Sequence, residues 1–140
     1  MFSLERALSG GPESVIEEME KAVALVVPSI CYENFPRVIV EAYSVGLPVI
    51  ASRLGALAEL VEDGITGLLF NPGDSKDLAK TIKWAYEHKE AMVEMGRRGR
   101  LKFENEFCPE KNYEQLKTIY GEAVSAFRCA KSSNTTRAIL

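Results

Sequence analysis

Cysteine, histidine and long apolar runs are all scarce in this chain of 140 residues. The three cysteines, Cys31, Cys108 and Cys129, are odd in number and widely spaced. That suits reduced thiols and argues against a disulfide framework or a cysteine-based metal site. The single histidine, His88, falls in a different predicted helix from the acidic pair at Glu33 and Glu41, so no metal site is expected. No apolar stretch approaches the roughly 20 residues that span a bilayer, which argues against a transmembrane segment. The first residues lack a basic region followed by a long apolar core, so no secretory signal is read there. The net charge of −3 leaves no excess of positive charge for gripping a nucleic acid. At 46% hydrophobic and 26% charged residues, the composition is that of an ordinary globular domain, and a cytoplasmic location is expected.

What is present is an alternation of short β-rich runs with helical stripes. Ala22-Val-Ala-Leu-Val-Val27 is a continuous apolar run with β-branched residues, closed by Pro28-Ser29, and reads as a buried strand of a parallel sheet. A loop from Ser29 to Phe35 follows. Pro36 suits the first position of a helix, and Val38, Ile39, Ala42 and Val45 form its apolar stripe, ending at Gly46. Further strands are expected at Leu47 to Ser52 and Gly67 to Phe70, with a short helix Ala56 to Val61 between them. Asn71-Pro-Gly-Asp74 is a turn signal, and Asp74 with Asp77 suggests a capping box opening a helix through His88. One more helix is expected from about Glu90 to Phe103. A last one opens at Pro109, with Tyr113, Leu116, Tyr120, Ala123 and Phe127 on one stripe. A helix from Pro12 to Lys21 precedes the first strand.

Glu33 and Glu41 are eight residues apart, but spacing alone means little, because the same interval recurs at Glu5/Glu13, Glu106/Glu114 and Glu114/Glu122. The setting distinguishes the first pair. Glu33 lies in a strand-to-helix loop and Glu41 in the middle of the following helix. In open α/β sheets, ligands bind at the carboxyl ends of the strands, where this loop is expected. The amides of Arg37 and Val38, at the helix tip, favour an anion such as phosphate. Two neighbouring loop residues, Gly55 and Arg53, are further candidates for the same edge. The basic run Arg97, Arg98, Arg100 and Lys102 is most simply a solvated face.

The ordered pattern resembles a known family. Leu25-Val-Val-Pro-Ser29, Glu33-x-Phe35, Glu41-Ala42, Gly46-Leu-Pro-Val-Ile50-Ala51-Ser52, Gly55, Glu59-Leu-Val61, Asp63-Gly64, Gly67-Leu-Leu69 and Pro72-Gly-Asp74 together are similar to the retaining group 1 glycosyltransferases. The resemblance spans about residues 20 to 90. It implies the B-type fold, in which two Rossmann-like domains face each other across a cleft, and it places this chain in part of the C-terminal domain. The fold class expected is therefore α/β, a three-layer, Rossmann-like parallel sheet with helices on both faces, as a truncated half of the C-terminal domain of such an enzyme. The organisation expected is an N-terminal remnant over 1–11, a partial nucleotide-sugar-binding domain over 12–128 and a disordered tail over 129–140.

The resemblance also implies roles. Glu33 corresponds to the family glutamate that hydrogen-bonds hydroxyls of the donor sugar, and is the catalytic candidate. Glu41 corresponds to the one that holds the ribose. Phe35, Pro36, Arg37 and Val38 correspond to the segment that cradles the diphosphate, with one departure. Pro36 stands where many relatives have glycine, so one amide donor is lost. The donor implied is a nucleoside-diphosphate sugar, the acceptor an unknown hydroxyl, and no cofactor or metal is expected. The strand Val23 to Val27 would lie beside strands that this chain does not carry, so its edge is expected to pair with a second copy or a complementary subunit. Two alternatives stay open: a noncatalytic nucleotide-sugar-binding or assembly module, and a phosphosugar isomerase or epimerase relative of like architecture.

Overall fold

The computed structural model describes residues 12–135. The expected remnant over 1–11 and the last five positions of the expected tail lie outside the described residues. The chain divides into two compact units, Met1–Glu104 and Asn105–Leu140. In the first unit the elements run α1 (Pro12–Lys21), β1 (Leu25–Val27), α2 (Arg37–Ser44), β2 (Val49–Ser52), α3 (Gly55–Leu60), β3 (Gly67–Phe70), α4 (Ser75–Glu87) and α5 (Lys89–Lys102). A single π-helical turn, Phe103–Phe107, follows, and then α6 (Pro109–Thr135).

The three strands form one parallel sheet in the order β1-β2-β3. β2 is central and every residue of Val49-Ile-Ala-Ser52 is buried, as expected when both faces are covered, with the polar Ser52 at its carboxyl end. Alternation along β2 divides the core. Val49 and Ala51 face a layer built from Met19 of α1, Ile39, Ala42 and Tyr43 of α2, and Leu57 of α3. Ile50 faces the opposite layer, with Phe70, Ala85 of α4, and Met92 and Met95 of α5. Burying a side chain such as Ile39 or Leu57 stabilises by about 1.5–3 kcal/mol, so these two clusters carry the unit. The layered parallel α/β architecture expected from the sequence is thus what forms.

The boundaries differ in ways that have local causes. The first strand is three residues, Leu25–Val27, rather than the run Ala22 to Val27, because pairing to β2 starts only where Leu25 meets Val49. It is half-buried with Val26 exposed, rather than buried, since among the described residues no strand covers its outer edge. Pro36 lies one position before α2, with ψ of 86°, so the helix starts at Arg37. Asp74 does cap α4, its Oδ1 accepting from the amides of Lys76 (2.9 Å) and Asp77 (3.0 Å). The reciprocal half of the capping box is not made, because Asp77 Oδ2 accepts from the Asn71 amide at 2.8 Å instead. The tail expected from residue 129 is helical as far as Thr135. Its serines and threonines are poor helix formers, yet no Gly or Pro interrupts propagation, which adds one hydrogen bond per residue. Within α6, the stripe residues Tyr113, Leu116, Tyr120 and Phe127 are exposed.

Helix α5 binds the first unit together by closing two helix ends. Arg100 Nη1 donates to the Ser44 carbonyl at the end of α2, and Lys102 Nζ donates to the Leu60 carbonyl at the end of α3 (3.1 Å) and to Glu62 (2.6 Å). Cations at helix C-termini meet the last carbonyls and the negative end of the dipole. Close approach of α5 to α2 also depends on Gly99, where a Cβ would fall 2.6 Å from the Tyr43 ring. Tyr43 is fully buried, its hydroxyl 2.8 Å from Thr66 Oγ1, and burial pushes its phenol up to about 12 despite that hydrogen bond.

Candidate functional site

The carboxyl ends of β1 and β2 open into two loops, and these hold the residues singled out by sequence. After β1, the segment 28–36 carries exposed Glu33 and exposed Phe35, and ends at buried Pro36, which anchors the start of α2. No side chain caps α2. The Ile39 amide closes onto the Pro36 carbonyl at 3.0 Å. The amides of Arg37 and Val38 belong to the first turn, which a helix leaves without intrahelical partners. Glu41, one turn further on, is partly buried on the side of α2 that presents its carboxylate to Arg37, at 3.2 Å. Arg37 is 83% exposed, and such a surface pair contributes at most about 1 kcal/mol, so the guanidinium can leave Glu41 at little cost.

Contacts not legible from spacing tie this edge together. Ser29 Oγ donates to Glu33 Oε1 at 2.6 Å. The Tyr32 ring lies against Gly55, where a Cβ would meet Tyr32 Cδ1 at 2.8 Å. Gly55 opens α3 at φ of +47°, a left-handed conformation that glycine adopts freely. It therefore joins the β2–α3 loop to the β1–α2 loop. Arg53, on the same loop, is committed to Asp63 at 2.5 Å, and Asp63 also accepts from the Leu69 amide at 3.0 Å. Sequence reasoning missed Ser29 and Tyr32 as site residues. The only signal was their place in the loop directly after a strand of a parallel sheet.

Each cation of the basic run on α5 is held in an ion pair. Arg97 and Arg98 pair with Glu94, Arg100 with Glu104, and Lys102 with Glu62. Of these, Glu94, Arg97 and Arg100 border a hollow of about 1020 Å³ at the amino edge of the sheet, lined also by Met19, Val23, Leu47, Pro48, Met92 and Val93. None of Glu33, Phe35, Pro36, Arg37, Val38 or Glu41 lines it. Its lining is mostly apolar and its charged residues Glu94, Arg97 and Arg100 are held in ion pairs, so the carboxyl edge is the better candidate site.

Comparison with known proteins identifies the family of this sheet unit. The family model described as glycosyl transferases group 1 matches residues 7–102. The chain belongs to the group 1 glycosyl transferases. Among curated relatives of this glycosyltransferase chain, D-inositol 3-phosphate glycosyltransferase of Corynebacterium efficiens is 32% identical over 82% of the chain and 27% of the relative. N-acetyl-alpha-D-glucosaminyl L-malate synthase of Bacillus anthracis is 30% identical over 83% of the chain and 30% of the relative. Among solved structures, Anabaena HepE in complex with UDP-glucose is similar with a TM-score of 0.71 and 29% identity, over 77% of this chain and 30% of that one. The chain thus spans about three tenths of the length of the relatives it matches. The matched part has the Rossmann-like architecture of the B-type glycosyltransferase fold. Among the described residues, no helix is long and apolar enough to cross a membrane.

Proposed function

We propose that the carboxyl edge of this sheet binds a nucleoside-diphosphate sugar and, in its complete assembly, transfers the sugar to a hydroxyl acceptor with retention of configuration. The observation that carries the reading is the placement of one glutamate in the loop before, and another one turn into, a helix whose tip no side chain caps. A carboxylate can accept from two hydroxyls of a diol at once, and charge-assisted hydrogen bonds are about twice as strong as neutral ones. Glu41 takes the ribose hydroxyls, displacing Arg37, whose freed guanidinium then faces the diphosphate. The amides of Arg37 and Val38 meet the diphosphate too, and stabilise the charge that grows on it as the sugar departs, as donors in an oxyanion hole do. Glu33 holds the sugar hydroxyls and fixes the face presented to the acceptor. Phe35 and Pro36 shape the turn that brings the amides into place. The leaving phosphate itself serves as base for the incoming hydroxyl. HepE has been solved in complex with UDP and with UDP-glucose, which supports a donor of this chemical class.

Calorimetric titration with UDP-glucose tests the reading. Binding that Glu41→Gln weakens at least tenfold is the expected result, since one hydrogen bond to a charged group contributes about 1.5–3 kcal/mol. Absence of heat, or indifference to Glu41→Gln, would refute it.

A second reading, a noncatalytic nucleotide-sugar-binding or assembly module, is favoured by the outer edge of β1. Among the described residues no strand pairs there, and Val23 and Val26 are exposed. Such an edge invites a strand from a second copy or a complementary subunit. Light scattering on the chain separates the cases: a folded monomer at all concentrations removes self-pairing.

A further inference from the structure

Glu33 is an exposed side chain on a loop, and an exposed glutamate samples many rotamers, whose restriction opposes binding. Its carboxylate is nevertheless held. Ser29 Oγ donates to Oε1 at 2.6 Å, within the short range typical of O–H···O⁻ bonds. Ser29 itself follows Pro28 and is half-buried two residues beyond β1, so the strand fixes its position. Between donor and acceptor, Tyr32 rests on Gly55, which pins the turn from the other side. A carboxylate has about four acceptor sites, so one bond from Ser29 leaves Oε2 wholly available.

From this geometry we propose that Ser29 is a positioning residue for the sugar: its hydroxyl pre-orders Glu33 so that Oε2 meets the hydroxyls of the transferred hexosyl group, while the nucleotide half is bound without it. The inference rests on the donor reading above and deepens it by assigning affinity for sugar and nucleotide to separate residues. Preordering strengthens binding by lowering the entropy lost when the complex forms.

Titration of the chain and its variants with UDP-glucose and with UDP tests the assignment. Ser29→Ala is expected to weaken UDP-glucose about tenfold, the scale of one hydrogen bond to a charged group, while UDP binding stays within about twofold. Ser29→Thr, which keeps the hydroxyl, is expected to restore the difference. Equal weakening of both ligands would mean a merely structural role and overturn the proposal, as would a Ser29→Ala chain that binds UDP-glucose unchanged. Failure of the native chain to bind either ligand overturns the donor reading, and this inference with it. A ligand-free measurement stands beside these. Amide hydrogen exchange over residues 30–35 is expected to quicken several-fold in Ser29→Ala and not in Ser29→Thr, and unchanged exchange would sink the idea whatever the ligand does.

Discussion

Adding one methyl group at Gly96 should unfold the sheet unit at markedly lower denaturant. Gly96 sits in α5 where that helix crosses the turn between α2 and β2. A Cβ built there falls 2.1 Å from the Gly46 carbonyl oxygen and 3.1 Å from Pro48 Cδ. The obstacle is backbone, and it is pinned: the Gly46 amide donates to Tyr43 O at 3.0 Å and the Leu47 amide to Ala42 O at 2.9 Å. An ordinary carbon–oxygen contact needs about 3.3 Å, so α5 must retreat by about 1 Å. Overpacking of this kind costs about 1–3 kcal/mol. The retreat also strains the hydrogen bond from Arg100 to the Ser44 carbonyl, a contact worth about 1.5–3 kcal/mol if wholly lost. Against this, alanine gains about 1 kcal/mol over glycine within a helix. With that bond lost, the net expectation is a loss of about 1.5–5 kcal/mol. Trp84, the only tryptophan, lies in α4 and reports unfolding of this unit by fluorescence in urea. Gly121→Ala in α6 is the control, because nothing lies within 4 Å of its Cβ and only the helical gain remains. A Gly96→Ala midpoint at or above that of the native chain, with unchanged slope, would refute the packing argument.

Three other outcomes follow from contacts already described. Asp74→Ala removes both capping bonds of α4 and is expected to cost about 1 kcal/mol in thermal unfolding, with Asp74→Asn restoring most of it. Tyr43 stays protonated in the fold to about pH 12 while the unfolded chain releases that proton near pH 10, so its contribution is complete below about pH 10 and fades as pH rises toward 12. Tyr43→Phe should therefore be less stable at neutral pH by about 1 kcal/mol for the lost Thr66 bond, yet less sensitive to alkali, and parallel urea midpoints across about pH 9 to 11 would contradict this. Gly55→Ala forces a left-handed conformation on a residue with a Cβ, costing about 1–2 kcal/mol, and should displace the Tyr32 ring, detectable as a shift in the Tyr32 ring resonances by NMR.

Much of the architecture was legible because it rests on local rules. Short apolar runs marked the strands, Gly46 marked the stop of α2, and Asp74 marked the start of α4. The family pattern likewise located the loop and helix that carry Glu33 and Glu41. What escaped were contacts set by close approach in three dimensions. Nothing in the sequence around Gly96 or Gly99 announces that α5 will lie on the end of α2, since glycine within a helix reads only as a weak point. The capping of α2 and α3 by Arg100 and Lys102 was equally hidden, because a basic run reads as a solvated face until its carbonyl partners are known. Ser29 was read as strand punctuation, and its bond to Glu33 depends on how the intervening loop turns.

The two ends of the sheet divide the work physically. At the amino edge, glycines allow backbones to touch and cations close helix ends, so substitutions there act on stability. At the carboxyl edge, the loop after β1 buries little: Ile30 is 73% exposed, Tyr32 80% and Phe35 54%. Three large side chains and a glutamate in six residues, held outward on a loop anchored at both ends by Ser29 and buried Pro36, give almost nothing to the core. Folding does not require them, since exposed substitutions of this kind usually change stability by no more than about 0.5 kcal/mol. Alanine at Tyr32 or Glu33 should accordingly leave the unfolding midpoint nearly unchanged while weakening UDP-glucose binding. If either substitution instead destabilised the fold as much as a core truncation, about 2–5 kcal/mol, the loop would be a structural element and its glutamate would lose its claim to the sugar.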